Sequence, residues 1–530
     1  APFEISTMVH CEYGVSRSAA VALFVEAFTG APLAAREFTY EANQWVIDRL
    51  LQQHPDYAAT VSLDDLRRTQ YARLDAQNQV YLDYTGGGLH AASQVQEHAQ
   101  ILNEQVLGNP HSLSPSSLDM TRRVEGARAA VLDYFQGTGE YTAIFTPNAS
   151  GALKLVGESY PFAPGGKRLL TADNHNSVNG IREFARAKGV AARYAPLTRP
   201  ELRLDTAALE ALLAEADPAR PNLMAFPAQS NFSGVKHSLE WVARAQALGW
   251  QVLLDAAAFV PTNLLDLRAV RPDFVVLSFY KMFGYPTGVG CLLVRNDALQ
   301  ALRRPWFGGG TVNFATVQGQ MHVLSQGEAG FEDGTLNYLG LPAVEIGLRH
   351  LQQVGMQTIQ TRVQCLTGWL ISQLLAFKHS NGRALVRLYG PANLSMRGGT
   401  VTLNLYDPHG LLVDYRRVEE LAGESRISLR TGCFCNPGAG EMAEDLSEED
   451  MRAGIAQLGA EINLQRFSQA LQERGGKSAG AIRVSTGIAS NFVDVERFLH
   501  FVAGFRDQTA LTVGSVSFDI ESCRVLRDGG

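Results

Sequence analysis

Two short stretches carry side chains suited to covalent chemistry. In DFVVLSFYKMFGYPTGVGCLLV an apolar strand is expected to end at Ser278, and Lys281 follows at once, ahead of Gly284, Gly288 and Gly290. An amine at a strand end, beside glycines that admit a bulky ligand, suits imine formation with a carbonyl compound. In LRTGCFCNPG the thiols Cys433 and Cys435 stand two residues apart on a glycine- and proline-bearing loop, close behind Arg430. A thiol is nucleophilic as its thiolate, and a neighbouring cation favours that form. Each feature has an ordinary explanation when taken singly. Most lysines are solvated, and cysteines are common apolar fillers of a core.

Four upstream stretches change the weighing. WQVLLDAAA puts Asp255 at the C-terminal end of a buried apolar strand. A carboxylate there is costly to bury unless it meets a cation, and a protonated pyridine nitrogen is one. FTPNASGALKLV reads strand, turn, helix; the backbone N–H groups of Ala149 and Ser150, with the Ser150 hydroxyl, could hold a phosphate at that helix start, though Ser150 could equally be a plain N-cap. His175, in TADNHNSVNG, follows another strand and could stack on a pyridine ring; a loop histidine is more often simply solvated. Asn231, in PAQSNFSG, could donate to a phenolic oxygen or be an ordinary turn residue.

These residues need a scaffold that gathers strand ends. From QVYLDYTGGG near residue 80 to about residue 345, apolar β-branched runs (TAIFT, KRLLTAD, NLMAFPAQ, WQVLLDAAA, DFVVLSFY) alternate with amphipathic helical segments. That pattern predicts an α/β domain with a mostly parallel sheet covered on both faces. Each candidate residue falls at a strand-to-helix switch on one edge, where such sheets bind ligands. Residues 346–505 open with a helix (AVEIGLRHLQQVG), continue through strands GTVTLNLY and AIRVSTG, and close with VDVERFLHFVAGF, an α+β module. Residues 1–70 read as a helical extension, 71–345 as the large domain and 506–530 as a tail with a strand-like stretch, SVSFDIESCRVL.

With these motifs in order, the chain resembles the class V aminotransferase and cysteine desulfurase family, within the aspartate-aminotransferase-like fold (fold type I). It is most similar to the molybdenum cofactor sulfurase branch, through YLDYTGGG, GNPHS, DNHNSVNGIREFA, LLDAAA, SFYKMFGYPTGVG, FEDGTLNY and RTGCFCNPGAG, over roughly residues 78–505. The resemblance implies pyridoxal 5'-phosphate held covalently by Lys281. Asp255 would pair with the ring nitrogen, His175 would stack on the ring, and Asn231 would face the phenolic oxygen. Ala149, Ser150, Ser278 and Tyr280 would complete the cofactor site. It places the persulfide-forming nucleophile at Cys435 rather than Cys433, and the substrate carboxylate at Arg483, a planar bidentate task, with Arg430 nearby. FGGG (Phe307 to Gly310) and Thr335 look like parts that reach a neighbouring subunit's phosphate, which implies a homodimer. The expected activity is transfer of sulfur from L-cysteine to an acceptor, leaving alanine. Rivals are a C–S lyase, epimerase or aminotransferase in which Cys435 is idle, and a phosphatase-linked scaffold protein.

The pattern is broken in places. Tyr280 stands where related desulfurases usually have histidine, Gly440 where this branch commonly has a third cysteine, and AGIAQLGAEINLQRF replaces a cysteine-bearing segment. Eukaryotic sulfurases carry a further domain that binds molybdenum cofactor, whereas the sequence runs to Gly530. The acceptor is therefore left open between a carrier protein, molybdenum cofactor held elsewhere, and a small molecule. At the other end VHCEYGVSRSAA, with His10, Cys11, Gly14, Arg17 and Ser18, resembles the phosphate-binding loop of tyrosine and dual-specificity phosphatases. Only ten residues precede Cys11, too few for the sheet and acid such enzymes place upstream, so an inactive, vestigial loop is expected.

Bulk properties narrow the field. The 530 residues are 46% apolar and 19% charged, with net charge -7 and pI near 6.0. This is ordinary for a soluble protein and lacks the basic excess of a nucleic-acid binder. No run of about eighteen apolar residues suggests a membrane span, and the N-terminus does not read as a secretory signal. Six cysteines are too few for a disulfide framework and fit a reducing cytoplasm. The single close pair, Cys433 and Cys435, has no second cluster to complete a zinc site.

Overall fold

The computed structural model describes residues 47–458, 478, 480–514, 517–519 and 524–526. The phosphatase-like loop with Cys11 and Arg17, and the segment SAAVALFVEAF, lie outside the described residues. The chain divides into two compact units, Ala1–Ser62 and Leu63–Gly530. In the first, residues 47–53 are helical and Pro55–Thr60 forms a 3-10 turn. Everything below concerns the second.

Its centre is a seven-stranded sheet made of β2 (Tyr141–Thr146), β3 (Lys167–Thr171), β4 (Ala192–Ala195), β5 (Asn222–Pro227), β6 (Gln251–Asp255), β7 (Phe274–Ser278) and β8 (Gly290–Arg295), in spatial order β2-β8-β7-β6-β5-β3-β4. Neighbours pair in parallel from β7 to β4, while β8 runs antiparallel to both β7 and β2. The expected strands are therefore present, in a mostly parallel sheet.

Both faces of the sheet are buried because each strand divides its apolar residues between two cores with period two. Phe145, Leu169, Met224, Phe226, Leu254, Leu277 and Leu293 join one cluster; Ile144, Leu170, Leu223, Ala225, Leu253, Val276 and Leu292 join the other. Helices α1 (Pro115–Tyr134) and α6 (Pro342–Val354) cover the first face through Met120, Val124, Val344 and Leu348. The second is covered by α2 (Ala149–Ser159) and α3 (Ile181–Ala187), through Leu153, Val156 and Ile181. This dry, two-sided packing fixes the positions of the strand ends.

The C-terminal part forms an antiparallel sheet of β11 (Val386–Tyr389), β12 (Thr400–Leu405), β15 (Ala481–Ser485) and β14 (Arg430–Gly432), in that spatial order. Long α7 (Met356–Ala376) and α10 (Phe492–Ala503) pack on each other beside it. The first strand of the unit, β1 (Val80–Tyr81), pairs in parallel with β13 (Ile427–Ser428), and Asp83 bridges to Ser485. The segment that opens the large domain is thus stitched to the small one. A buried ion pair, Arg67 to Asp494 at 2.5 Å, adds a second tie from this early segment to α10.

Candidate active site

The C-terminal ends of β2, β3, β5, β6 and β7 open on a cavity of about 450 Å³. Its walls include Ala149, Ser150, His175, Asn231, Asp255, Ser278, Tyr280 and Lys281. Eight of the ten sequence-predicted cofactor residues therefore meet in one place. Of the others, Thr335 lines an adjoining cavity of about 510 Å³, which shares Pro147, Asn148 and Gly288 with the first, and Gly310 is exposed in left-handed backbone (φ 85°). Arg430, Arg483 and Cys435 stand outside this wall, in the small domain.

One end of the cavity is an anion cradle. Asn148 caps α2 by accepting from the Gly151 N–H at 2.9 Å, so the helix starts facing the cavity. The Ala149 N–H donates to Ser278 Oγ at 3.3 Å, and the Ser150 and Ser177 hydroxyls share a 2.6 Å hydrogen bond. Three hydroxyls and a helix N-terminus at one spot suit a phosphate. Ser177 was not picked out from the sequence; its place two residues after His175 was the available signal.

At the other end lie the groups suited to a ring. Asp255 terminates β6 and accepts from the Ala257 N–H at 3.0 Å. His175 begins the short helix Asn176–Asn179; its Nδ1 accepts from the Ser177 N–H at 3.1 Å, which leaves Nε2 to carry the proton of a neutral ring. Burial holds the imidazole below its usual pKa, with Lys281 and Arg483 acting in the same sense and Asp255 against. Lys281 sits in the one-and-a-half-turn helix Phe279–Phe283. Burial pushes its pKa down, helped by Arg483 and Arg430 and opposed by Asp255. Its amine makes neither hydrogen bond nor ion pair among the described residues. The turn after it is compact: Gly284 is left-handed (φ 79°), and a Cβ there would collide with the Leu89–His90 backbone. Gln229, passed over in the sequence, also lines the cavity, with Oε1 buried and unpaired. An anion cradle, a desolvated amine, a buried carboxylate and an imidazole around one cavity fit pyridoxal phosphate group by group.

The thiol-bearing loop is held against this site by amides. The Asn231 Nδ2 donates to the Phe434 carbonyl at 2.8 Å, and the Asn436 Nδ2 donates to both Asn231 Oδ1 and the Asp173 carbonyl at 2.8 Å. The Asn176 N–H donates to the Cys435 carbonyl at 2.7 Å. The Asn231 side chain thus ties the cavity wall to the loop. Cys435 is exposed and Cys433 half-buried. Helix α9 (Pro437–Ala443) continues the loop, and Gly438 lies so close to the Ala172 carbonyl that any side chain would clash.

Behind the loop, Arg483 on β15 is buried. Its Nη1 donates to the Asn231 carbonyl and its Nη2 to Asp83 Oδ1, each at 3.1 Å, while Nε has no partner. Burial lowers its pKa; Asp83 and Cys435 oppose this and Arg430 adds to it. Arg430 reaches the other oxygen of Asp83 at 2.9 and 2.6 Å, a hydrogen bond that raises its own pKa. Asp83 therefore joins the two arginines. Its position in YLDYTGGG was visible, but not the pairing of that segment with a strand roughly 400 residues later.

The aminotransferase class-V family pattern matches residues 80–498. The chain belongs to the class-V aminotransferase family. Among curated relatives of this family member is a molybdenum cofactor sulfurase from Solanum lycopersicum, 36% identical over 500 residues, which covers 87% of this chain and 60% of that protein. The Homo sapiens molybdenum cofactor sulfurase is 35% identical over 467 residues, covering 84% of this chain and 51% of its own. The chain thus spans between about half and three fifths of these relatives. Among solved structures, the apo cysteine desulfurase of Thermococcus onnurineus NA1 superposes with a TM-score of 0.67 at 23% identity, covering 83% of this class-V chain and 97% of that one. This likeness establishes the shared fold.

Proposed function

We propose that the protein is a pyridoxal-phosphate-dependent cysteine desulfurase that takes sulfur from L-cysteine onto Cys435. The observation that carries this reading is the Asn231 bridge: a wall residue of the Lys281 cavity grips the very loop that bears Cys435. Its support from relatives is the likeness to molybdenum cofactor sulfurases. When bound, the cofactor would supply an electron-withdrawing ring that takes up the charge left on the substrate's Cα.

The chain's own residues do the rest. Ser150, Ser177, Ser278 and the Ala149 N–H would hold the phosphate, and Asp255 would pair with the ring nitrogen. Desolvation lowers the Lys281 pKa, which favours the free amine that would attach the cofactor's carbonyl and move the Cα proton. Arg483, with the aid of Arg430, receives the substrate carboxylate. The Cys435 thiolate attacks the substrate sulfur; a sulfur–sulfur bond forms, the carbon–sulfur bond breaks, and the carbon collects a proton. The net change is L-cysteine plus thiol to L-alanine plus persulfide. A terminal sulfur receiver, molybdenum cofactor or a carrier, then accepts the outer atom.

We further propose a homodimer in a reducing cytoplasm. Trp306, Phe307, Phe314, Val317, Met321 and Val323 are all exposed on or beside the hairpin β9 (Val312–Ala315) and β10 (His322–Leu324), next to Gly310. Such an apolar patch suits a second copy. The free thiols of Cys433 and Cys435 suit reducing surroundings.

Mass spectrometry after incubation with L-cysteine should show one added sulfur atom on Cys435, with alanine formed in step. One specific observation favours a second reading: Cys435 points to solvent rather than into the cavity, as it would in a C–S lyase. Turnover that survives Cys435→Ser would establish the lyase.

A further inference from the structure

Phe434 occupies an unusual place between the two thiols. Its neighbours are half-buried and exposed, yet its own ring is buried, 4.7 Å from the Arg483 guanidinium and 5.5 Å from the Phe232 ring. Under that ring Arg483 Nε is buried with no acceptor, an arrangement that leaves a charged donor unsatisfied. Phe434 and Cys435 are also consecutive non-glycine residues in left-handed backbone, at φ 55° and 53°, a conformation disfavoured for residues with a Cβ. Hydrogen bonds from Asn231 and Asn176 to the carbonyls of residues 434 and 435 hold it there. Ring in and thiol out are therefore two faces of one strained turn.

We infer that Phe434 is a plug over the substrate-carboxylate site, and that an amino-acid carboxylate arriving at Arg483 displaces it and swings Cys435 inward. The carboxylate satisfies Arg483 Nε, which the ring covers without pairing. Loss of the ring's cation–π seat removes one of the restraints on the strained turn and leaves the Asn231 and Asn176 hydrogen bonds to hold it alone. Release of residue 434 carries residue 435 with it, because the two share the turn. Binding and delivery of the nucleophile are then one event, and a thiol without substrate stays outside. Phe434 acts here as a positioning residue. The inference rests on the reading of Arg483 as the carboxylate site and Cys435 as the sulfur receiver.

The test uses the holoenzyme and L-alanine, which has the carboxylate but no sulfur to give. Iodoacetamide labelling of Cys435, followed by peptide mass mapping, reports whether the thiol is out or in. In the natural protein, saturating alanine should slow Cys435 labelling at least about fivefold, the lower end of ordinary coupling between sites. In Phe434→Ala the rate should ignore alanine, and the KM for cysteine should fall together with kcat. Phe434→Leu, which keeps an apolar filler, serves should the alanine variant fail to fold; it should show a weakened response. Equal labelling with and without alanine in the natural protein overturns the plug, as does a full response in both variants. So does an absorbance spectrum that alanine leaves unaltered, because no carboxylate then engages the site. Failure of the desulfurase reading shows separately, as absence of added sulfur on Cys435 when cysteine is supplied.

Discussion

The cofactor cradle and the Cys435 loop, tied together through Asn231, are built on opposite principles. Asp255 and Ser278 end strands whose every residue but the first of β6 is buried, and Lys281 follows Ser278 on a five-residue helix. To move any of them would disturb both cores of the sheet. Beyond β14, residues 433–436 of the loop lie in no strand or helix, and of them only Phe434 joins a core cluster. The loop is held by amide hydrogen bonds, one aromatic seat on Arg483 and two left-handed residues. The fixed part has to present cofactor groups in constant geometry, while the part that accepts sulfur has to approach one molecule and then another. Rigidity and strain are thus divided between two parts of one compact unit.

The sharpest way to break this division is at the fixed side. Lys281→Ala should lower turnover by at least about 10²–10⁴-fold through lost proton transfer alone, and borohydride should no longer fix the cofactor to the protein. Asp255→Asn comes next, with a loss of about 10²–10³-fold in turnover for one removed electrostatic partner, checked by steady-state assay at equal cofactor loading. On the loop side, Cys435→Ser should remove sulfur transfer yet leave the yellow colour of the loaded protein intact; loss of both would mean that loop and cradle are not separable.

Two smaller effects refine the comparison. The Lys281 amine is held below its ordinary pKa, so it stays partly unprotonated at lower pH than a free lysine. Cofactor loading of the apo-protein should therefore slow as pH falls, with a midpoint below the usual lysine value of about 10.4. Asp255→Asn should lower the midpoint further, since Asp255 is what raises that pKa. Asn436→Ala removes bonds to Asp173 and Asn231. It should make opening of residues 430–440 easier by about 1–3 kcal/mol, read by hydrogen exchange, with exchange of the central strands unaltered.

The cradle was largely legible in the sequence because strand-end residues are announced by the apolar runs before them. Asp255 and Lys281 needed only the buried strands β6 and β7 to be recognised. Ser177 and Gln229 were overlooked because each stands two residues from a more conspicuous neighbour, His175 or Asn231. Asn231 also makes a contact that its residue type did not announce, the amide hydrogen bond to the loop. The Asp83 link between Arg430 and Arg483 was out of reach, since it depends on pairing between distant segments that no local pattern reports. For the same reason no local pattern singled out the ring of Phe434.

The pairing of β1 with β13 has a consequence for how the molecule is made. On the ribosome Val80 emerges long before Ile427, its partner, and at 5–20 residues per second about 20–70 s pass between them. Throughout that interval the large sheet can form while the nascent chain keeps an unmatched strand and an unneutralised Asp83. Only when residues 430 and 483 have emerged can Asp83 meet Arg430 and Arg483, so the paired arginines of the proposed carboxylate site are set in place long after the strands of the large sheet.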